Sequence, residues 1–152
     1  MTSNWGRWAP FFFAALVSLI WGIQFARGFP PKDKLQIVEG KVSFVDWRDS
    51  KHKSFSFKLE GIDQEFIYTR SYPNFDSVVS ALKTYERITV MYLPDSSNLK
   101  GYRRPWEIRW YGKTLVSYDE MHEYEINNRA IGLIVCLAFF AAALWWLWYY
   151  RN

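Results

Sequence analysis

Two long apolar runs near the ends of the chain frame a central region in which apolar and polar residues alternate. Residues 8–26 and 130–150 contain no Asp, Glu, Lys or Arg. A helix rises about 1.5 Å per residue and a hydrocarbon core is about 30 Å thick, so each run is long enough to cross a membrane. Trp and Tyr residues near the ends of both runs are typical of interfacial belts. We therefore expect two transmembrane helices.

The segments around these runs complete the predicted organisation. Residues 1–7 are a polar tail, 27–35 a linker with the Pro30-Pro31 pair, 36–117 a β-rich soluble domain, 118–129 a juxtamembrane helix, and 151–152 a second tail. A signal peptide could be cleaved at the small residues around Ala26. The first run, however, is longer than the usual apolar core of a signal peptide, and it holds the bulky Trp21 close to that cleavage site. We therefore expect it to be retained as an anchor.

The central region alternates with the period of two that is typical of strands. Strand-like segments occur near residues 38–44, 55–60, 65–70, 88–93 and 106–111, and residues 114–117 can extend the sheet. Gly40 fits a bulge or a sharp bend in the first strand. Asn74 or Asp76 can cap a short helix that ends near Thr84. The apolar faces of the strands predict a core that contains Phe44, Phe57, Val90, Trp106 and Ile108.

Ser117 and Glu120 match a capping box, in which Ser occupies the N-cap and Glu the third helical position. The pattern predicts that a helix begins there and continues into the second apolar run.

The order of the predicted elements places one helix between the third and fourth strands. This order resembles the OB-fold, a small Greek-key β-barrel. The predicted fold class is therefore two transmembrane helices that flank a small OB-like β-barrel with one short helix. An open β-meander or a sandwich is the alternative.

Four short motifs support a wider resemblance. They are Val38-Glu39-Gly40-Lys41-Val42, Ile88-Thr89-Val90-Met91-Tyr92-Leu93-Pro94, Trp106-Glu107-Ile108-Arg109 and Leu115-Val116-Ser117-Tyr118. With these motifs the chain resembles small bacterial membrane proteins of unknown function that have one span, a β-rich loop domain and a second span. The resemblance implies a fold and a location at the bacterial inner membrane, and it implies no activity.

The charge distribution argues against a nucleic-acid surface. The net charge is +4, yet residues 32–125 contain fifteen basic and fifteen acidic residues. The excess therefore comes from Arg7, Arg27, Arg129 and Arg151, which flank the apolar runs and can reach the lipid headgroups. If the domain bound single-stranded nucleic acid, the residues in contact with it would be Tyr102, Arg103, Arg104, Trp106 and Trp110. We instead expect Tyr102, Arg103 and Arg104 to form a surface for protein interaction.

No set of residues predicts catalysis. Asp119, His122 and Glu125 form a polar cluster that could hold a metal ion or relay protons. Acidic residues are also favoured at the positive end of a helix dipole, and no second histidine ligand is near in the sequence. The position of the cluster in the first turn of a helix therefore explains it without a metal ion or proton transfer. The only cysteine, Cys136, lies in an apolar run, so an intramolecular disulfide is excluded. We expect a protein that is not an enzyme and that has no metal site and no cofactor.

Both apolar runs carry small residues at helical spacing. Ala14, Ser18 and Gly22 share one face of the first run, and Gly132, Cys136 and Ala138 mark the second. Small residues let helices approach closely in lipid, so we expect these faces to pack together or against copies in an oligomer.

These observations predict an integral membrane protein whose partners are the bilayer and another protein or a second copy of itself. We expect a non-catalytic interaction module, either an accessory subunit or a tethered binding domain. An immunity-type protein that neutralises a membrane-acting toxin is the alternative, and a metal or proton site around His122 is a third hypothesis. The β domain is expected outside the cytoplasm, with both tails inside. Lys and Arg counts alone favour the reverse, but that rule weakens for a loop of this length.

Overall fold

The computed structural model describes residues 5–26, 28–48, 54–95 and 101–151. Three α-helices and six β-strands follow one another along the chain. Their order is α1 (Trp5–Ala26), β1 (Gln36–Arg48), β2 (Ser54–Leu59), β3 (Glu65–Thr69), α2 (Phe75–Leu82), β4 (Arg87–Tyr92), β5 (Pro105–Trp110), β6 (Lys113–Val116) and α3 (Tyr118–Arg151), with a short 3₁₀ turn at Lys32–Lys34. The chain divides into two compact units. One contains residues 30–124, and the other contains residues 1–29 and 125–152.

The six strands form one antiparallel sheet in the order β3-β2-β1-β4-β5-β6. The sheet is open within the described residues, so the expected closed barrel is wrong. The openness of the alternative is found, but the sheet is not a simple meander, because β1 pairs with β4. Among the described residues, an isolated parallel bridge between Phe66 and Arg103 joins β3 to the segment that precedes β5. Closure would need a ladder along β3, whereas β5 pairs with β4 on one side and with the additional strand β6 on the other.

The long strand β1 changes its pairing partner along its length. Its first part, residues 36–41, pairs with β4, and its second part, residues 42–48, pairs with β2. Gly40 lies beside this change of partner, where an added Cβ would stand 3.0 Å from the Leu59 Cβ. A side chain at this position would therefore overpack a buried contact. The register shift lies between Val42 and Phe44, so the bulge is not at Gly40 itself.

The β domain has an aromatic core. Four of the five predicted core residues, Phe57, Val90, Trp106 and Ile108, are buried. The prediction for Phe44 is wrong, since this side chain is 47% exposed. The register shift before Phe44 moves it to the outer face opposite Lys58, while Val45 takes the position opposite Phe57. A bulge inserts one extra residue, so each side chain beyond it changes face.

Helix α2 begins after Asn74 as expected, but Asn74 does not cap it through its side chain. Asn74 has a left-handed backbone, with φ at 54°, and makes no side-chain capping bond. Its amide instead donates to the Leu115 carbonyl and to Glu120 Oε1, at 2.9 and 3.1 Å. Asn74 therefore connects the start of α2 to β6 and to the first turn of α3.

The capping box at the start of α3 is confirmed. The Ser117 backbone N–H donates to Glu120 Oε2 at 2.8 Å, and the Glu120 backbone N–H donates to Ser117 Oγ at 3.2 Å. Each bond satisfies a donor that the first turn of a helix leaves unpaired.

Replacement of Ser117 with alanine should lower the free energy of unfolding by about 1 kcal/mol, because the N-cap bond is lost. Urea denaturation of the full chain in detergent would measure this change. Thr114→Ala, on exposed β6, is the matched control and should have a smaller effect. Equal effects of the two substitutions would show that the capping bonds do not stabilise the helix.

Helix α3 is a single helix of 34 residues that begins in the β domain and continues through the second apolar run. In the described part of the chain, one helix is long and apolar enough to cross a membrane, and its apolar part lies within Tyr118–Trp146. Two membrane-spanning helices were expected, and the described residues contain one helix that meets these criteria. The first predicted span forms α1, and its crossing of a membrane stays a proposal.

Candidate interaction site

The predicted interaction residues lie on a segment that is fixed against the edge of β3. The Arg103 backbone N–H donates to the Glu65 carbonyl at 2.8 Å, and the Ile67 N–H donates to the Arg103 carbonyl at 2.9 Å. Gly101 has φ at 81°, a conformation that side-chain-bearing residues rarely adopt, and it lets the chain turn into this position. The segment is therefore positioned by its main chain, and its side chains extend from a defined backbone.

Arg104 contributes to the interior of the domain more than to the predicted surface. Its Nε donates to the Tyr72 hydroxyl at 2.9 Å. Its guanidinium lies 5.2 Å from the ring centre of Tyr72 and 5.9 Å from that of Trp106. Cation–π contacts of this kind favour an Arg held against aromatic faces. Arg104 therefore joins the loop to the aromatic cluster beneath it.

Tyr102 and Arg103 line an open polar cleft of about 350 Å³. The opposite wall is the hairpin that connects β2 to β3, and it contributes Lys58, Asp63, Gln64 and Glu65. Lys58 and Glu65 face each other across the two strands, with 3.7 Å between Nζ and Oε2. The cleft thus combines positive, negative and amide groups within one concave surface.

Sequence reasoning found one wall of this cleft and missed the other. The strands near residues 55–60 and 65–70 were predicted, but nothing local shows that the loop before β5 returns to the connection between them. The contact between Arg103 and Glu65 joins residues that are 38 positions apart. Tertiary folding, and not periodicity, brings the two walls together.

Beneath Arg104, aromatic side chains form a continuous cluster around Tyr72. The Tyr72 ring lies 5.1 Å from that of Tyr68 and 5.5 Å from that of Tyr124, both edge to face. The Tyr68 ring also stacks on Phe55, and its hydroxyl donates to the Pro73 carbonyl. Edge-to-face contacts between rings add to the stabilisation from burial. The cluster therefore supports the loop that carries Arg103 and Arg104.

Burial raises the pKa of the Tyr68 hydroxyl well above its ordinary value, and nearby Tyr72 and Glu120 act in the same direction. The folded state therefore holds this proton more tightly than the unfolded state does. The resulting stabilisation is complete below about pH 10, the pKa of an unfolded tyrosine, and is lost as the pH rises above that value.

Replacement of Tyr68 with phenylalanine should therefore make the loss of stability between about pH 9 and pH 12 less steep. Urea denaturation of the full chain in detergent across this range would measure the change. Tyr85→Phe, at an exposed position, should leave the alkaline slope close to that of the unmodified chain. If Tyr68→Phe leaves the slope unchanged, ionisation of the Tyr68 hydroxyl does not contribute to alkaline unfolding.

The structure disperses the predicted polar cluster of Asp119, His122 and Glu125. Asp119 is exposed, whereas the ring of His122 stacks on Tyr118 at 5.7 Å. Glu125 is buried and lies 3.9 Å from Arg129, measured from Oε2 to Nε. Among the described residues, no group of three or more His, Cys, Asp or Glu side chains is arranged to hold a metal ion.

Tyr118 connects the start of α3 to the linker that enters the domain. Its hydroxyl donates to the Pro30 carbonyl at 2.9 Å, and its ring lies 5.8 Å from that of Trp106. Lys32 Nζ lies 5.7 Å from the same ring and 4.0 Å from the buried carboxylate of Glu107. The points at which the chain enters and leaves the β domain are therefore joined to each other and to β5.

The predicted helix-packing residues differ in burial. Ala14, Gly132 and Cys136 are buried, Ser18 is half-buried, and Gly22 and Ala138 are exposed. Ala143, which was not predicted, is also buried and follows Cys136 by two helical turns. The packing of the two small-residue faces against each other stays a prediction.

Arg129 links the end of the first helical segment to α3. Its Nη2 donates to the Gly28 carbonyl at 3.2 Å, and its guanidinium lies 4.1 Å from the ring centre of Phe29. An Arg that flanks a predicted span was expected to reach lipid headgroups; here it also binds the chain that follows α1.

No protein-family model, curated protein or solved structure matches this chain. The resemblance to small bacterial proteins with two spans is therefore still a prediction.

Proposed function

We propose that the chain is an integral membrane protein that presents its β domain to a protein partner, as an accessory subunit or a tethered binding domain. The observation that carries this proposal is the continuity of α3. The helix starts inside the domain with a complete capping box and extends for 34 residues, or about 51 Å. About 30 Å of helix is sufficient to cross the hydrocarbon core, so the helix is long enough for a span with several further turns before it.

The surface of α3 supports a lipid environment for its second half. Large apolar side chains there are exposed in the single chain on several sides of the helix, namely Ile131, Leu133, Ile134, Val135, Leu137, Phe139, Phe140, Leu144, Trp145, Trp148 and Tyr149. Soluble monomers rarely expose a contiguous apolar surface of this extent. Burial in a bilayer removes that surface from water, and the aromatic residues near the end suit the interface.

The β domain supports a binding role. It forms a separate compact unit with its own aromatic core, and it carries a concave polar surface at the predicted interaction residues Tyr102 and Arg103. Arg and Tyr are enriched among the residues that dominate binding energy at protein interfaces. A neutral domain with such a cleft suits a protein partner better than a polyanion.

Affinity purification of the full chain from native membranes in a mild detergent tests this function. We expect recovery of a stoichiometric partner protein or of a self-associated complex. Recovery of monomeric chain alone, after chemical cross-linking in intact membranes, would contradict it.

The finer topology belongs to the same proposal. We propose that α1 is a second span and that the β domain lies outside the cytoplasm of a bacterial inner membrane, with both tails inside. A phosphatase that is active only outside the cytoplasm, fused after Lys100, should be active. A silent phosphatase together with a fluorescent cytoplasmic reporter at the same position would reverse the orientation.

An OB-like arrangement of the domain's elements is also a proposal. The position of α2 between β3 and β4 and the parallel bridge between Phe66 and Arg103 support it. The alternative of a toxin-neutralising immunity protein and the expectation that the chain is not an enzyme stay predictions.

A further inference from the structure

We propose that the cleft between the β2–β3 hairpin and residues 101–103 binds a partner segment in which a carboxylate side chain lies close to a Lys or Arg side chain. This inference rests on the proposed interaction function and specifies the chemistry that its partner presents.

Arg103 provides the positive group. Its side chain is half-buried and, among the described residues, makes no hydrogen bond and no ion pair. Two other arginines of the domain already have carboxylate partners: Arg87 pairs with Glu39, and Arg109 pairs with Glu107. A guanidinium offers a planar set of donors that matches a carboxylate in a two-bond geometry. Arg103 is therefore suited to a carboxylate supplied from outside the domain.

Asp63 provides the negative group on the facing wall. It is exposed on the hairpin connection, and within the described part of the chain it has no hydrogen bond and no ion pair. The other two charges of the cleft, Lys58 and Glu65, neutralise each other at 3.7 Å. The cleft therefore presents one unpaired cation and one unpaired anion, and only a segment of mixed charge complements both.

The backbone of the cleft is held in place before a partner arrives. Two main-chain hydrogen bonds fix Arg103 to β3, and the pairing of Lys58 with Glu65 fixes the strand ends between which Asp63 and Gln64 lie. A surface that needs no ordering on binding loses less affinity to conformational entropy. Gln64 and Tyr102 add an amide and an aromatic ring that can contact the backbone of a bound segment.

Fluorescence anisotropy with the full chain in lipid nanodiscs tests the proposal. The probes are three labelled octapeptides of equal length, one alternating Glu and Lys, one with Glu alone and one with Lys alone, each with glycine spacers. The alternating peptide should bind at least about tenfold more tightly than either single-charge peptide, as two complementary charge pairs predict.

Variants of the cleft separate this site from general electrostatics. Arg103→Glu should weaken binding of the alternating peptide by about tenfold or more, since it removes the guanidinium that pairs with the carboxylates of the peptide. Arg70→Glu makes the same charge change at an exposed arginine outside the cleft and should change binding less than about twofold. The double variant Asp63→Arg with Arg103→Glu exchanges the two charges and should restore most of the affinity.

Several outcomes would overturn the inference. They are the absence of a preference for the alternating peptide, an equal loss with Arg70→Glu, and no recovery in the double variant. Thermal unfolding would confirm that the variants fold, and Arg103→Gln would replace Arg103→Glu if the latter does not. If Arg103→Glu still recovers the native complex from membranes, the interaction function stands and this cleft is not its site.

Discussion

Replacement of Phe57 with alanine should lower the free energy of unfolding of the β domain by about 3–5 kcal/mol. The Phe57 side chain is completely buried and its ring lies 5.3 Å from that of Phe66 and 6.2 Å from that of Phe55. Truncation removes this apolar surface from the core and leaves a cavity that the neighbouring rings fill only in part. Chemical denaturation of the full chain in detergent, followed by tryptophan fluorescence, would measure the loss.

Phe44 gives a matched control within the same sheet. Phe44→Ala deletes the same atoms from a side chain that is 47% exposed and lies beyond the register shift in β1. We expect a loss of less than about 1.5 kcal/mol, because little apolar surface returns to water. Equal losses at the two positions would show that β1 and β2 pair in a different register.

Replacement of Phe139 with lysine should disrupt membrane insertion of α3. Phe139 is 58% exposed and lies near the middle of the predicted span. On the scale measured for helix centres, the change from Phe to Lys costs about 3 kcal/mol, which corresponds to more than a hundredfold change in the insertion equilibrium. Glycosylation-site mapping of α3 during translation into membranes would report the inserted fraction.

Ile126→Lys is the control for this experiment. Ile126 is an exposed apolar residue of the same helix, but it precedes the predicted span. The same new charge should therefore leave insertion almost unchanged. If both substitutions reduce insertion equally, or if neither does, the span does not lie at residues 130–150.

Local patterns predicted the elements of this protein more reliably than their arrangement. The strands that contain Phe57 and Trp106 and the capping box at Ser117 are predicted from residues within a few positions of one another, and each is found in the structure. Phe44 was misplaced because a register shift depends on how the partner strand pairs, and a single strand does not encode this.

The openness of the sheet could not be read from element order. The order of the elements is compatible with both a closed barrel and an open sheet, and closure depends on pairings between strands that are distant in sequence. Here the edge of β3 receives a bridge from Arg103, while β6 pairs with β5 near Ile108. These long-range contacts decide the architecture.

The candidate site was predicted in part for the same reason. Tyr102 and Arg103 were found because a basic loop that contains an aromatic residue is visible in the sequence. Arg104 was assigned to the same surface, yet it hydrogen-bonds to Tyr72, a residue 32 positions earlier. The acidic wall at Asp63 and Glu65 was missed because its neighbour across the cleft is remote along the chain.

If α3 anchors the protein in a membrane, the full chain behaves as an integral membrane protein. Extraction of native membranes at alkaline pH with carbonate removes peripheral proteins and leaves integral ones in the pellet. We predict that the full chain stays in the pellet and that a chain ending at Arg129, which also lacks α1, is recovered in the supernatant as a folded β domain. Recovery of the full chain in the supernatant would contradict the account.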